Sequence, residues 1–220
     1  MGPLGDHVAK ALIPICNEPL LTYQLDQLRA LGIEDILIVV GYLGESIQER
    51  FEDGSDYGVH IRYVQQRERL GLAHAVGQLE SQITGPFVLM LGDIYFDIPQ
   101  LSAMVQIFED TESSAVLAVK KESTKEAIQR NFSVTANAEG RVSEVVEKPQ
   151  STTSSLKGCG LYVFDHRIFE AIRRTPRSSL RNEYELTDAI QCLIESEASV
   201  HVADIVQHDI NLTYISDILD

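Results

Sequence analysis

PFVLMLGDIYFD, residues 86–97, is the stretch of sequence that decides the fold. Its apolar run, 87–91, predicts a strand buried on both faces, as in a parallel sheet covered by helices. Gly92 lets the backbone turn, so Asp93 stands just beyond the carboxyl end of that strand, the edge where open α/β sheets bind ligands. The Asp93 carboxylate either holds Mg²⁺ together with substrate phosphates or caps the next turn, and this stretch alone leaves both open.

Strands and helices alternate around this stretch over the first 120 residues. Apolar runs and helical spacing predict strands at 35–41, 61–64 and 115–119 and helices at 19–31, 45–51, 72–82 and 99–109. This alternation is typical of an α/β fold with a mostly parallel sheet.

The pattern changes near residue 130. Strands at 131–135, 141–147 and 160–164 are separated by turn signals, with no helix between the first two. We interpret them as an antiparallel insertion that covers one end of the sheet. Helices at 166–174 and 186–195, a strand at 200–203 and a terminal helix from about Thr213 complete the prediction.

Composition limits the classes of function. The chain has 220 residues and a formal net charge of −15, which argues against a nucleic-acid-binding surface. No apolar stretch approaches the roughly 20 residues of a membrane helix, and the first residues show no signal-peptide pattern. Cys16, Cys159 and Cys192 lack the spacing of a metal site, so we expect three reduced thiols in a cytoplasmic protein.

The loop YVQQRERLGLAHAV, residues 63–76, leaves a predicted strand, passes through Gly71 and enters a helix of small residues. A Gln side chain offers both a donor and an acceptor, which suits the imide edge of uracil or thymine. The alternative is an ordinary strand-to-helix turn in which Gly71 is needed only for its backbone angles.

With Asp93 and this loop in view, the chain resembles the sugar-1-phosphate nucleotidyltransferases, and most closely their glucose-1-phosphate thymidylyltransferase-like branch. The similar segments, which follow one another in the family's order, are KALIPICNEPLL (10–21), QQRERLGLAHAV (65–76), LMLGD (89–93), GRVSEVVEKP (140–149), GCGLYVFD (158–165) and RNEYELTDA (181–189).

The resemblance implies a Rossmann-like three-layer sandwich with a mostly parallel central sheet and a small antiparallel sugar-binding insertion. Residues 1–220 would form a single catalytic-type domain, with a nucleotide-binding half at 1–120 and a sugar-binding half at 121–220. The family's first strand and glycine-rich loop would precede the chain, so we expect them to be missing from it.

The resemblance also implies a role for individual residues. Phosphate oxygens would be held by Lys10 and Lys148, with Arg181 at the sugar phosphate. The implied base-binding residues are Gln66, Gly71 and Leu72, and the implied sugar-binding residues are Glu147, Gly160 and Glu183. Asp93 would hold Mg²⁺ with a second ligand, for which Asp209 is the first choice and Asn211 the second.

The implied reaction joins a nucleoside triphosphate, with dTTP or UTP favoured, to a sugar 1-phosphate and releases pyrophosphate. Two alternatives stay open: an inactive or truncated relative that serves as a regulatory or binding subunit, and cytidylyl transfer to a polyol or choline phosphate. Ile94 and the pair Phe132-Ser133 depart from the family pattern and keep the inactive alternative open. We expect no nucleic-acid or membrane partner, and a homo-oligomer is left open.

Overall fold

The computed structural model describes residues 8–179 and 181–212. The chain divides into two compact units. The first unit contains the described residues of 1–69, 91–97 and 208–220, and the second contains those of 70–90 and 98–207.

Among its described residues, the first unit contains two α-helices and three strand pairs. Its elements are β1 (Pro14–Ile15), β2 (Glu18–Pro19), α1 (Leu20–Ala30), β3 (Asp35–Val40), α2 (Gly44–Phe51), β4 (His60–Gln65), β6 (Ile94–Asp97) and β12 (His208–Asn211). Strands β3 and β4 are parallel, whereas β1 pairs with β2 and β6 pairs with β12 in antiparallel fashion.

Helix α1 forms and ends where its sequence predicts. Its leucines at helical spacing, among them Leu20, Leu25 and Leu28, are buried. Gly32 follows with a φ of 75°, and the N–H groups of Gly32 and Ile33 donate to the carbonyls of Arg29 and Leu28. This is the Schellman arrangement, in which glycine takes the left-handed position at little steric cost.

The second unit is built on a six-stranded sheet. Its elements are α3 (Leu72–Gly77), β5 (Phe87–Met90), α4 (Ser102–Asp110), β7 (Ala115–Lys121), α5 (Lys125–Gln129), β8 (Phe132–Ala136), β9 (Val142–Glu147), β10 (Leu156–Phe164), α6 (Arg167–Arg174), α7 (Leu186–Glu195) and β11 (Val200–Asp204). The strand order is β11-β7-β10-β8-β9, and β5 also pairs with β10.

The prediction of a mostly parallel central sheet is wrong. Only β11 and β7 are parallel among the described pairs of this sheet, because the long strand β10 runs antiparallel to β5, β7 and β8. The result is a mixed sheet. Strand β7 is fully buried from Ala115 to Val119, so its sequence shows the continuous apolar run that is usually associated with parallel strands.

The predicted antiparallel insertion is not confirmed as a separate structure. Strands β8 and β9 are indeed antiparallel, but β8 also pairs with β10, so both continue the main sheet. Strands β1, β2, β6 and β12 and helix α5 were not predicted from the sequence, and α3 was predicted to extend beyond Gly77. Strand β5 is confirmed, although its residues are half-buried and not fully covered. The terminal helix predicted from Thr213 lies outside the described residues.

Within residues 8–179 and 181–212, none of the helices combines the length and the apolar composition that crossing a bilayer requires. The three cysteines are thiols and are not joined in disulfides.

Candidate functional site

In the first unit, the predicted phosphate-binding lysine meets the predicted metal-binding aspartate. Lys10 lies in a short 3₁₀ turn, Lys10–Leu12, and its Nζ is 2.8 Å from Oδ2 of Asp93. The two side chains are 21% and 34% exposed, so solvent screens their attraction less than it would screen a surface pair. Two residues 83 positions apart in sequence therefore form one partly buried ion pair.

The turn that carries Asp93 is held by several hydrogen bonds. Nε2 of Gln24, on α1, donates to the carbonyls of Leu91 and Ile94, each at 2.8 Å. The N–H of Leu212 donates to the carbonyl of Asp93 at 3.0 Å. Gln24 was not predicted as a functional residue, although a polar residue among the leucines of a helix face was a usable signal.

The two residues named for the second metal ligand lie on the strand beside β6. Asn211 is opposite Ile94, the residue next to Asp93, and Asp209 is opposite Phe96, three positions from Asp93. Asp209 is half-buried and Asn211 is exposed. Both remain predictions, with Asn211 the closer to Asp93 in register.

The donor atoms at this turn fit Mg²⁺. Carboxylate and amide oxygens are the hard ligands that Mg²⁺ prefers. In the part of the chain that the structure describes, no three His, Cys, Asp or Glu side chains are grouped so as to hold a metal ion. A magnesium ion would therefore rely on one or two of these side chains together with substrate phosphates, which is its usual mode of binding.

In the second unit, Arg181 gathers three carboxylates. Its guanidinium nitrogens lie 3.7 Å from Oε1 of Glu147, 3.0 Å from Oε2 of Glu183 and 3.5 Å from Oε1 of Glu185. Three predicted residues, Glu147, Arg181 and Glu183, are thus brought together. Glu185 was missed, although it stands two positions after Glu183 in the same motif. We call these four residues the Arg181 cluster.

Two carboxyl groups of this cluster, those of Glu147 and Glu185, are poorly solvated. Burial, and next the charge of Glu185, raise the pKa of Glu147, while Lys148 and Arg181 oppose that shift. Thr187 Oγ1 also donates a hydrogen bond of 3.3 Å to Oε2 of Glu147. Burial likewise raises the pKa of Glu185, whose side chain is 9% exposed. Both carboxyl groups therefore favour the protonated, neutral form more than an exposed glutamate does.

Lys148 is held in an unusual backbone conformation. Its φ is 41°, in the left-handed region that lysine rarely adopts, and its N–H donates to the carbonyl of Asn131 at 2.8 Å. Such a conformation costs on the order of 1–3 kcal/mol and persists only where the surroundings enforce it. The side chain of Lys148 is exposed, and its charge opposes the raised pKa values of Glu147 and Glu185.

Strand β10 contains two glycines, Gly158 and Gly160. A Cβ on Gly158 would lie 1.8 Å from Cζ of Phe132, so the ring of Phe132 covers that glycine directly. Gly160 is buried, with a φ of 75°, where the register between β10 and β7 shifts. Its predicted role in sugar binding remains a prediction. Tyr162 stacks on Phe132 at 6.2 Å, and burial raises the pKa of its phenol above the ordinary value.

The loop through Gly71 is fastened to the segment that carries the Arg181 cluster. The N–H of Tyr184 donates to the carbonyl of Leu70 at 2.7 Å, and the N–H of Ala73 donates to the carbonyl of Tyr184 at 2.9 Å. Gly71 has a φ of 108°, and a Cβ there would lie 2.5 Å from the carbonyl oxygen of Tyr184. The close approach of Tyr184 is therefore one physical reason for glycine at this position.

The remaining base-binding predictions are divided between the units. Leu72 begins α3 in the second unit. Gln66 belongs to the first unit, where its N–H donates to the carbonyl of Val40 at 2.8 Å. His74 stacks on the ring of Tyr184 with their centroids 6.5 Å apart.

Comparison with known proteins identifies the family. The model of the family described as Nucleotidyl transferase matches residues 1–208. The chain is 36% identical over 216 residues to the UTP–glucose-1-phosphate uridylyltransferase AglF of Haloferax volcanii, covering 98% of this chain and 87% of that protein. It is also 36% identical over 202 residues to a glucose-1-phosphate thymidylyltransferase of Streptomyces griseus, covering 90% of this chain.

The chain spans only about half the length of several of these relatives. The chain spans 55% of the Streptomyces griseus protein and 56% of the low-salt glycan biosynthesis nucleotidyltransferase Agl11 of Haloferax volcanii. Among solved structures, a UDP-glucose pyrophosphorylase complexed with UDP-glucose superimposes with a TM-score of 0.87 at 21% identity, covering 100% of this chain and 90% of that one. This structural likeness shows the fold. The family match and the sequence identities confirm the resemblance found in the sequence, and the chain belongs to the nucleotidyl transferase family.

Proposed function

We propose that this protein transfers a nucleotidyl group from a nucleoside triphosphate, dTTP or UTP, to a sugar 1-phosphate, releasing pyrophosphate and forming a nucleotide sugar. The observation that carries the proposal is the ion pair of Lys10 with Asp93, in a chain 36% identical to a protein named as a uridylyltransferase. Residues 1–120 would bind the nucleotide and residues 121–220 the sugar, although the compact units divide the chain at other positions.

The chemistry needs little covalent participation by the protein. A phosphate monoester has a second pKa of about 6, so the sugar phosphate is largely a dianion at neutral pH. One of its oxygens forms a bond to the α-phosphorus while the bond from that phosphorus to the bridging oxygen breaks. The electron pair of the broken bond leaves with pyrophosphate. The protein therefore contributes the positioning of two anions and the stabilisation of their charge.

Lys10 would act on the triphosphate. An ammonium group has three N–H donors, so Lys10 can keep its bond to Asp93 and donate to a phosphate oxygen as well. Asp93, with Asp209 or Asn211, would hold Mg²⁺. When bound, that ion supplies positive charge against the phosphate oxygens. We propose that Gln66, Gly71 and Leu72 frame the base.

The Arg181 cluster would bind the sugar phosphate. Glu147 and Glu183 carry carboxylate oxygens that accept hydrogen bonds from sugar hydroxyls, and Gly160 would let the sugar approach the strand. Lys148, whose side chain is exposed, would reach the phosphate of the sugar together with Arg181. The three thiols suit an enzyme of the reducing cytoplasm.

The test is pyrophosphate release over a panel of dTTP, UTP, CTP, ATP and GTP against several sugar 1-phosphates, with Mg²⁺ present. We expect release with dTTP or UTP and a hexose 1-phosphate. The variant Asp93→Asn should lower the rate at least 100-fold, the order found when one charge-stabilising group is removed. If no pair released pyrophosphate while nucleotide sugars still bound, the protein would be a binding subunit and the proposal would be wrong.

A further inference from the structure

Gln24 is a buried polar residue in the core-facing side of helix α1. It is 4% exposed and lies on the same face as Leu20, Leu21, Leu25 and Leu28. Burying an amide is costly unless its hydrogen bonds are made inside the protein. The burial of Gln24 is explained by the hydrogen bonds that its amide nitrogen makes inside the protein.

The amide nitrogen of Gln24 bridges the two ends of the turn that carries Asp93. Nε2 donates to the carbonyl of Leu91 on one side and to that of Ile94 on the other, each at 2.8 Å. Carbonyl oxygens only accept, so the NH₂ end of the amide must face them, and chemistry fixes its orientation. One side chain thus satisfies two backbone groups that flank the aspartate.

The other contacts of the turn do not replace this bridge. The N–H of Leu212 fixes the carbonyl of Asp93 from the neighbouring strand. Lys10 acts on the carboxylate itself and holds the side chain without holding the backbone. The N–H of Ile94 also donates to the carbonyl of Leu91, at 3.3 Å, so the turn has one backbone bond of its own. Gln24 is the side chain that binds the carbonyls on both sides of Asp93. A carboxylate ligand must be held to about 0.5 Å, which requires a fixed backbone beneath it.

We propose that Gln24 is a positioning residue for Asp93 and that it sets the affinity of the turn for a divalent cation. The inference rests on the proposed function, in which Asp93 is a metal ligand. Groups that orient a metal ligand typically change metal affinity by 10- to 100-fold when they are lost. We therefore expect a loss of about 10-fold in cation affinity when the amide is removed.

Gln27 provides a matched control. It lies one turn further along the same helix, and its Nε2 donates to the carbonyl of Phe96 at 2.9 Å, two residues beyond the flanking carbonyl of Ile94. Substitution by methionine removes two amide-to-carbonyl bonds at Gln24 and one at Gln27, and it keeps a side chain of similar length at both positions. Only the change at Gln24 releases the turn of Asp93.

The experiment titrates Mn²⁺ alone into the full chain and follows the free ion by electron paramagnetic resonance, with thermal unfolding recorded for every variant. Gln24→Met should weaken Mn²⁺ binding about 10-fold, and Gln27→Met should change it less than twofold. Gln24→Glu keeps one donor, the O–H group, while its buried carboxyl is protonated. Its affinity for Mn²⁺ should therefore lie between those of the wild type and Gln24→Met. It also serves as the test if Gln24→Met does not fold.

A third arm separates the two hypotheses. Asp93→Asn should abolish most Mn²⁺ binding. If Asp93→Asn left binding unchanged, the metal role of Asp93 in the proposed function would fail. If Asp93→Asn weakened binding while Gln24→Met and Gln27→Met had equal effects, the proposed function would stand and the role of Gln24 would be refuted.

Discussion

Alanine at Gly71 would meet two physical obstacles. The backbone there has a φ of 108° and a ψ of 174°, a region that is essentially restricted to glycine and costs a residue with a side chain on the order of 1–3 kcal/mol. The added Cβ would also lie 2.5 Å from the carbonyl oxygen and 2.7 Å from the nitrogen of Tyr184. Both neighbours are backbone atoms, so no side chain can rotate out of the way.

Relief of that clash requires the segment of Tyr184 to move away. The movement breaks its two hydrogen bonds, with Leu70 and Ala73. Each such bond contributes about 1 kcal/mol to stability. Together with the backbone strain, Gly71→Ala should lower the free energy of unfolding by about 3–5 kcal/mol, less if the loop rearranges locally.

The assay is urea denaturation followed by circular dichroism, and Gly85→Ala is the control. Gly85 belongs to the same unit, nothing lies within 4 Å of a Cβ built there, and its φ is outside the left-handed range. This control should change stability by less than about 1 kcal/mol. Equal effects of the two variants, or a change below about 0.5 kcal/mol for Gly71→Ala, would refute the reasoning from the close approach of Tyr184.

Three further predictions concern both units. Lys10→Ala should lower the rate of pyrophosphate release about 100-fold or more. The free energy of unfolding should fall by less than about 1 kcal/mol, because the ion pair with Asp93 is partly exposed. A small change in the rate would contradict the phosphate role of Lys10. Gly158→Ala should cost about 1–3 kcal/mol in urea denaturation because the ring of Phe132 occupies the space of a Cβ, and Phe132→Leu should recover part of this loss in the double variant. The pKa of Glu147 in the folded protein lies above its ordinary value of 4.5. The folded protein therefore binds more protons at this group than the unfolded chain does. The stability that Glu147 contributes is present below pH 4.5 and is lost as the pH rises through the folded pKa. Glu147→Gln should flatten stability measured between pH 4.5 and 7, and an unchanged slope would contradict the raised pKa.

Much of the fold could be predicted because local patterns are strong in this chain. The leucines of α1, the run DILIVV of β3 and the run AVLAV in β7 identify their elements within a few residues. Gly32 marks the end of α1 because only glycine takes its φ of 75° without steric cost. These signals act between residues that are close in sequence, so the sequence displays them directly.

Strand direction was not predictable by the same means. A strand buried on both faces shows a continuous apolar run whether its neighbours are parallel or antiparallel, and β7 has one neighbour of each kind. Length and spacing favoured parallel neighbours, and the pairings of β10 overturned that expectation. Strands β6 and β12 were missed because each has only four residues and mixes polar with apolar positions.

The charged residues of the candidate sites could be predicted from the sequence. The residues that hold them in position could not. Lys10, Asp93, Glu147, Arg181 and Glu183 belong to segments that resemble a known family. Gln24 could have been noticed as a polar residue among leucines, but its two carbonyl partners lie 67 and 70 residues away in sequence. Such partners become visible only when the chain is folded.

The charges of the Arg181 cluster indicate how its roles divide under the proposed function. One guanidinium faces three carboxylates, so most of its positive charge is already compensated within the protein. Under the proposed function, Arg181 would orient the acids that accept hydrogen bonds from hydroxyls and would supply only part of the charge that a phosphate dianion requires. Lys148 projects from a strained backbone with an exposed side chain, and an ammonium group is a compact charge that binds phosphate well. Under the proposed function, Lys148 would then supply the larger share of the positive charge at the sugar phosphate.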